Sequence, residues 1–138
     1  MSIFKSNHTA INPKTNKSVP IWKLDTNTLT ITHFNPDKDT TEYKTYHSDC
    51  IKYHLHYSKD KYPDRLRMLV NNGEIINYLD KLESSVTTAI IRQVQLWKQS
   101  DREYQTAVAL GNTDKQKGLE NCFYYMARDS VFDCMVYI

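Results

Sequence analysis

Glycine is scarce in this 138-residue chain, with three in all, and proline numbers only four. So few glycines exclude most phosphate-cradling loops, and the low count of both excludes collagen-like and low-complexity chains. No apolar run approaches the roughly 20 residues that span a bilayer. The start, Met1-Ser2-Ile3-Phe4-Lys5, lacks the apolar run of a signal peptide, so the expectation is a protein of the bacterial cytoplasm with no membrane partner. Three cysteines, Cys50, Cys122 and Cys134, are an odd number that argues against a secreted disulfide framework; they read as thiols or a metal ligand. There is no His-Glu-x-x-His and no Gly-x-Ser-x-Gly, and no enzyme is expected. Charge of one sign is also lacking. The net is +2, with 11 Lys/Arg against 7 Asp/Glu over residues 1–67 and 7 against 9 over residues 68–138. Such interspersed charge is weak for a dedicated DNA-binding domain.

With 40% hydrophobic and 25% charged residues, the chain carries enough apolar mass to fold as a single domain over residues 1–138. Residues 18–24 and 28–34 are β-prone runs flanking Asp25-Thr26-Asn27, which predicts an antiparallel hairpin. Leu29 and Ile31 alternate with Thr30 and Thr32, and Asn35-Pro36-Asp37 ends the strand. Residues 41–46 supply a third. Beyond residue 60 the period becomes helical, with Pro63 at a first-turn position, Leu66, Leu69 and Val70 on one face and Gly73 as the stop. A longer stripe of Ile76, Leu79, Leu82, Val86, Ile90, Val94 and Trp97 follows. Ser100 with Glu103, and Thr113 with Gln116, resemble capping boxes. The last helix carries Tyr124, Ala127, Val131, Met135 and Ile138 as a stripe, with Cys122, Phe123, Met126 and Phe132 on its other sides, which predicts a helix central in the core. The fold expected is α+β: a small N-terminal antiparallel sheet of two to three strands, in a β-rich binding part over residues 1–58, packed on a bundle of three to four helices over residues 59–138.

One cluster has the residue types of a metal site. His47, Cys50, His54 and His56 lie within ten residues, and imidazole and thiolate are the ligands zinc prefers. A strand puts Cys50, His54 and His56 on one face; a helix groups His47, Cys50 and His54. Any zinc held there has a structural role. A second constellation is aromatic and basic. Tyr43, Tyr46, Tyr53, Tyr57 and Tyr62 interleave with Lys44, Lys52, Lys59, Lys61, Arg65 and Arg67, the composition of a surface that stacks bases or binds a protein partner.

From about His54 onward the chain resembles the transposon-encoded TnpV family. The likeness lies in His54-Leu55, Tyr57, Pro63, the Leu-rich turn ending at Gly73, the Leu79 and Leu82 stripe and the closing run from Ala127 to Tyr137. Gln116 stands about where that family has a tryptophan, and Cys134 replaces an acidic residue. The resemblance implies carriage on a bacterial mobile element and brings no catalytic residues. By genetic context alone, the chain is also similar to the anti-CRISPR proteins of phages and integrated elements, which act mainly by occupying effector surfaces. The expected function is therefore non-enzymatic: an inhibitor of host defence that sterically blocks a Cas nuclease and its DNA loading. The rivals are a nucleic-acid-binding accessory of a transposon and a homodimeric scaffold joined through the long helix from Glu74 to Trp97.

Overall fold

Asparagine or aspartate opens each of three tight turns in the first forty residues, and four positions later each chain reversal closes on a residue with positive φ. Asn12 leads to Asn16 at φ 54°, Asp25 to Leu29 at 56° and Asn35 to Asp39 at 50°. In each turn the leading side-chain oxygen accepts a backbone N–H two residues on, from Lys14 at 3.0 Å, Asn27 at 2.9 Å and Asp37 at 3.1 Å. Such side chains mimic a backbone turn, and Asn and Asp tolerate the left-handed region. Leu29 does not belong to the tolerant class. Its place in the turn corrects its expected role as a strand residue.

A computed structural model describes residues 2–138. The turns join β2 (Thr9–Asn12) to β3 (Lys17–Pro20), β4 (Trp22–Asp25) to β5 (Thr30–Asn35) and β5 to β6 (Thr40–Thr45), while β1 (Ile3–Lys5) precedes them. One antiparallel sheet has the order β1-β4-β5-β6, and β2 and β3 form a separate ribbon. The sheet thus exceeds the two to three strands expected, because β1 returns to pair with β4, Phe4 opposite Leu24. Five helices follow: α1 (Asp49–Lys61), α2 (Pro63–Asn71), α3 (Ile75–Ser100), α4 (Arg102–Ala109) and α5 (Thr113–Met135). The fold is α+β. The β-rich part ends at Thr45, well short of residue 58, since α1 already begins at Asp49.

The described residues fall into two compact units. The first comprises residues 2–83 with Tyr137, the second residues 84–136 with Ile138. In the first, Phe4, Leu24 and Ile31 share a lateral row of the sheet and are at most 2% exposed. Ile51 and Leu55 of α1, Leu66 and Val70 of α2, and Ile75 and Leu79 of α3 are all fully buried, and α2 packs on β1 and β4. Gly73 sits at φ +70° between α2 and α3, where a Cβ would come within 2.8 Å of Trp22 Nε1. Both the backbone and the indole therefore require glycine there.

The second unit holds α4, α5 and the later part of α3. Its helix starts fall one residue from the expected caps. Asp101, not Ser100, accepts the Tyr104 N–H at 2.8 Å, and Ser100 donates back to the Leu96 carbonyl. Asn112, not Thr113, accepts from Lys115 N. An aspartate carries charge to the positive end of the helix as well as an acceptor, which favours it over the adjacent serine. The expectation that α5 is central in the core is also corrected. It buries Phe123, Ala127 and Phe132, while Tyr124, Tyr125 and Met126 are 47%, 58% and 56% exposed. A helix apolar all round needs neighbours on every side, and this unit has too few helices to supply them.

Candidate functional site

The segment from His47 to His56 is helical from Asp49 onward, which selects the second of the two sequence readings. Ser48 is the N-cap residue but makes no side-chain capping bond. Its hydroxyl instead donates to Glu83 Oε2 at 2.5 Å and lies 3.5 Å from Cys50 Sγ. Cys50 is 5% exposed, and burial pushes its thiol up from the ordinary range. A raised thiol pKa suppresses the thiolate and suits a small hydrophobe better than a nucleophile.

His54 lies one turn further along the same buried face. It is completely enclosed, with Nε2 2.8 Å from Tyr78 Oη and 3.4 Å from Ser58 Oγ. Arg65 Nη2 donates to Ser58 Oγ at 2.8 Å. Burial also pushes the Tyr78 hydroxyl up, against the opposing pull of the Arg65 charge. This chain of polar groups ties α1, α2 and α3 together inside the first unit, as buried polar atoms need partners. The four residues considered for zinc are not gathered. His47 is exposed before the helix begins, His56 is half-buried, and among the described residues no three His, Cys, Asp or Glu side chains converge.

The aromatic and basic set is likewise spread over several surfaces. Tyr43 is 72% exposed on β6. Its neighbour Lys44 points to the other face, 3.3 Å from Asp80. Tyr46 is 4% exposed, and its hydroxyl donates to Asp80 Oδ1 at 2.7 Å. Burial, followed by that bond, raises its pKa far above the usual phenol range. Lys52, Tyr53, Lys61 and Tyr62 are exposed on α1 and at its end, and Lys59 is half-buried. Tyr57 meets the rings of Tyr62 and Tyr137. Arg65 stacks over Tyr62 at 4.9 Å, and Arg67 pairs with Asp64.

A different surface lies in the second unit. A groove of about 540 Å³ in the second unit runs between α3 and α5, floored by Ile90, Ile91, Val94 and Tyr124 and edged by Gln95 and Asn121. One end is polar. Lys98 Nζ lies 3.3 Å from Glu120 Oε1, which also accepts the Tyr104 hydroxyl at 2.7 Å. The Tyr104 bond, with Lys98 reinforcing it, holds the Glu120 carboxyl below the usual carboxylate range. Ile91 is 53% exposed, and Leu96, Val108 and Leu110 add apolar surface to the same unit. The all-round apolar character of α5 was the signal in the sequence, since a helix without enough neighbours leaves a face uncovered.

The fold and surfaces define a class, an α+β chain whose helical unit exposes an apolar groove. No family model, no curated protein and no solved structure matches it.

Proposed function

We propose that this chain is a non-enzymatic binding protein of a bacterial mobile element or phage, acting as an inhibitor of host defence by occupying a surface on a Cas nuclease and preventing DNA loading. The observation that carries the binding role is the α3–α5 groove. Apolar side chains at helical spacing, open to solvent and closed by one ion pair, form a receptor for an amphipathic helix of a protein partner. The TnpV resemblance and the analogy with small inhibitors support the genetic setting and the kind of target.

The test is DNA cleavage by purified Cas nucleases after incubation with the chain. Inhibition of at least one nuclease is expected, with cleavage restored by Ile91→Glu or Tyr124→Asp. Both positions are exposed, so the folded structure should survive, which far-UV circular dichroism checks. A chain that neither binds nor inhibits any member of the panel overturns the reading. A dimeric mass in light scattering that Ile91→Glu makes monomeric favours the scaffold instead, with a second copy in the groove.

A further inference from the structure

The outer face of the four-stranded sheet carries a cationic recess that the aromatic and basic set above does not include. Residues opposite one another in a sheet project to the same side. The register places Lys5 opposite Lys23, Lys23 opposite Thr32 and Thr32 opposite Tyr43, so these four form one lateral row across β1, β4, β5 and β6. Phe34 and Thr41 form the next row on that face. Phe34 is only 3% exposed, although it faces away from Ile31 and the helical side. The β2–β3 ribbon accounts for this: Asn12, Val19 and Pro20 wall a recess of about 200 Å³ whose remaining lining is Lys5, Lys23, Thr32, Phe34 and Thr41.

The chemistry of that lining has one sign. Two ammonium groups lie side by side on adjacent strands, an arrangement that costs stability by repulsion. Neither takes part in an ion pair found among the described residues. The nearest carboxylate along β4, Asp25, is engaged by the backbone N–H groups of Asn27 and Thr28. Asn12 accepts the Lys14 N–H through Oδ1, which leaves its amide N–H₂ as the free end. Thr32 and Thr41 add hydroxyl donors. No carboxylate lines the recess. Donors and positive charge without a balancing anion describe a place for a phosphate group. Two strands beyond Lys23, about 10 Å at the usual strand spacing, the Tyr43 ring stands 72% exposed. A cationic track with an aromatic platform beside it is how proteins hold single-stranded nucleic acid.

We infer that this sheet face binds single-stranded nucleic acid, with a backbone phosphate in the recess between Lys5 and Lys23 and a base stacked on Tyr43. This site is separate from the groove of the second unit, so it stands or falls independently of the inhibitor reading.

The test is fluorescence anisotropy of labelled oligothymidylate, about 12 nucleotides long, titrated with the full chain over a salt series. Binding should weaken with salt. Lys5→Gln with Lys23→Gln should make the slope of log affinity against log salt shallower by about 0.7 for each phosphate no longer neutralised. Tyr43→Ala should weaken binding roughly tenfold while Tyr43→Phe keeps it. Lys81→Gln, at an exposed position on α3, should change nothing. Lys5 and Tyr43 are exposed and Lys23 is half-buried, and circular dichroism verifies folding. Inorganic phosphate should compete only at concentrations far above those of the oligonucleotide. No retention of the oligonucleotide at low salt, or undiminished binding by the folded double lysine variant, overturns the proposal. Equal competition by inorganic phosphate leaves a simple anion site and equally overturns the nucleic-acid assignment.

Discussion

The two units differ in what they bury. In the first, Phe4, Leu24, Ile31, Ile51, Leu55, Leu66, Ile75 and Leu79 are at most 2% exposed; in the second, the side chains so enclosed are small, Val86, Ala107, Ala127 and Val136. Large enclosed side chains carry most of the stabilisation, at about 25 cal/mol per Å² of apolar surface removed from water. The first unit therefore places its most enclosed large side chains in its own core, though Ile11, Tyr43 and Met68 stay exposed, and the second leaves Ile91, Leu96, Leu110, Tyr125 and Met126 in water. A unit that covers Phe123 and Phe132 but encloses no large side chain fully has a thin core of its own and a surface suited to closing on something else.

The comparison breaks most readily at Leu55. Leu55→Ala, at a position with no exposure, should cost about 3 kcal/mol in urea unfolding. A loss below about 1 kcal/mol would mean that the first core is loose enough to collapse into the gap. The glycines sharpen the contrast, because the same substitution should have opposite signs in the two units. Gly73→Ala meets both a φ of +70° and the Trp22 ring, and should destabilise by about 2 kcal/mol. Gly118 lies inside α5, where a Cβ would meet nothing within 4 Å; Gly118→Ala should stabilise by about 0.5–1 kcal/mol. Thermal melts of both variants decide it. A destabilised Gly118→Ala would show that something packs against that side of α5. Tyr78→Phe removes the 2.8 Å bond to His54 and should cost about 1–2 kcal/mol by denaturant titration, whereas an unchanged midpoint would mean the enclosed polar chain contributes nothing.

Much of this architecture was legible. The hairpin around Asp25, the strand ending at Thr45, the helix opened by Pro63 and the long stripe of α3 all follow from periodicity and turn chemistry, because those elements bury one consistent face. The single run expected over residues 18–24 divides into β3 and β4, and β2, which Asn12-Pro13 joins to β3, carries no apolar alternation to mark it. Leu29 was misread because its type suits a strand while its place, four residues after Asp25, belongs to the turn. The cluster at His47 shows a different limit of the sequence. Ligand types adjacent in sequence say little about which side chains converge, and a helix sent Cys50 and His54 inward while His47 stayed outside. The row from Lys5 to Tyr43 could not be read at all, for it exists only once four strands are in register.

The smallest effect concerns the polar end of the groove and its pH dependence. The Tyr104 hydroxyl, then Lys98, favours the ionised Glu120, so its folded pKa lies below the unfolded one. A depressed carboxyl contributes stability above its ordinary range and loses that contribution as pH falls through the folded value. Glu120 is 37% exposed at its side chain, so solvent screens the interaction and the change in unfolding midpoint should be slight. The carboxyl resonance is the more sensitive reporter: in an NMR titration of Tyr104→Phe, the Glu120 midpoint should move up toward the usual carboxylate range. A midpoint that stays put would mean that Lys98 alone holds the charge, and that the closed end of the groove is a plain surface ion pair.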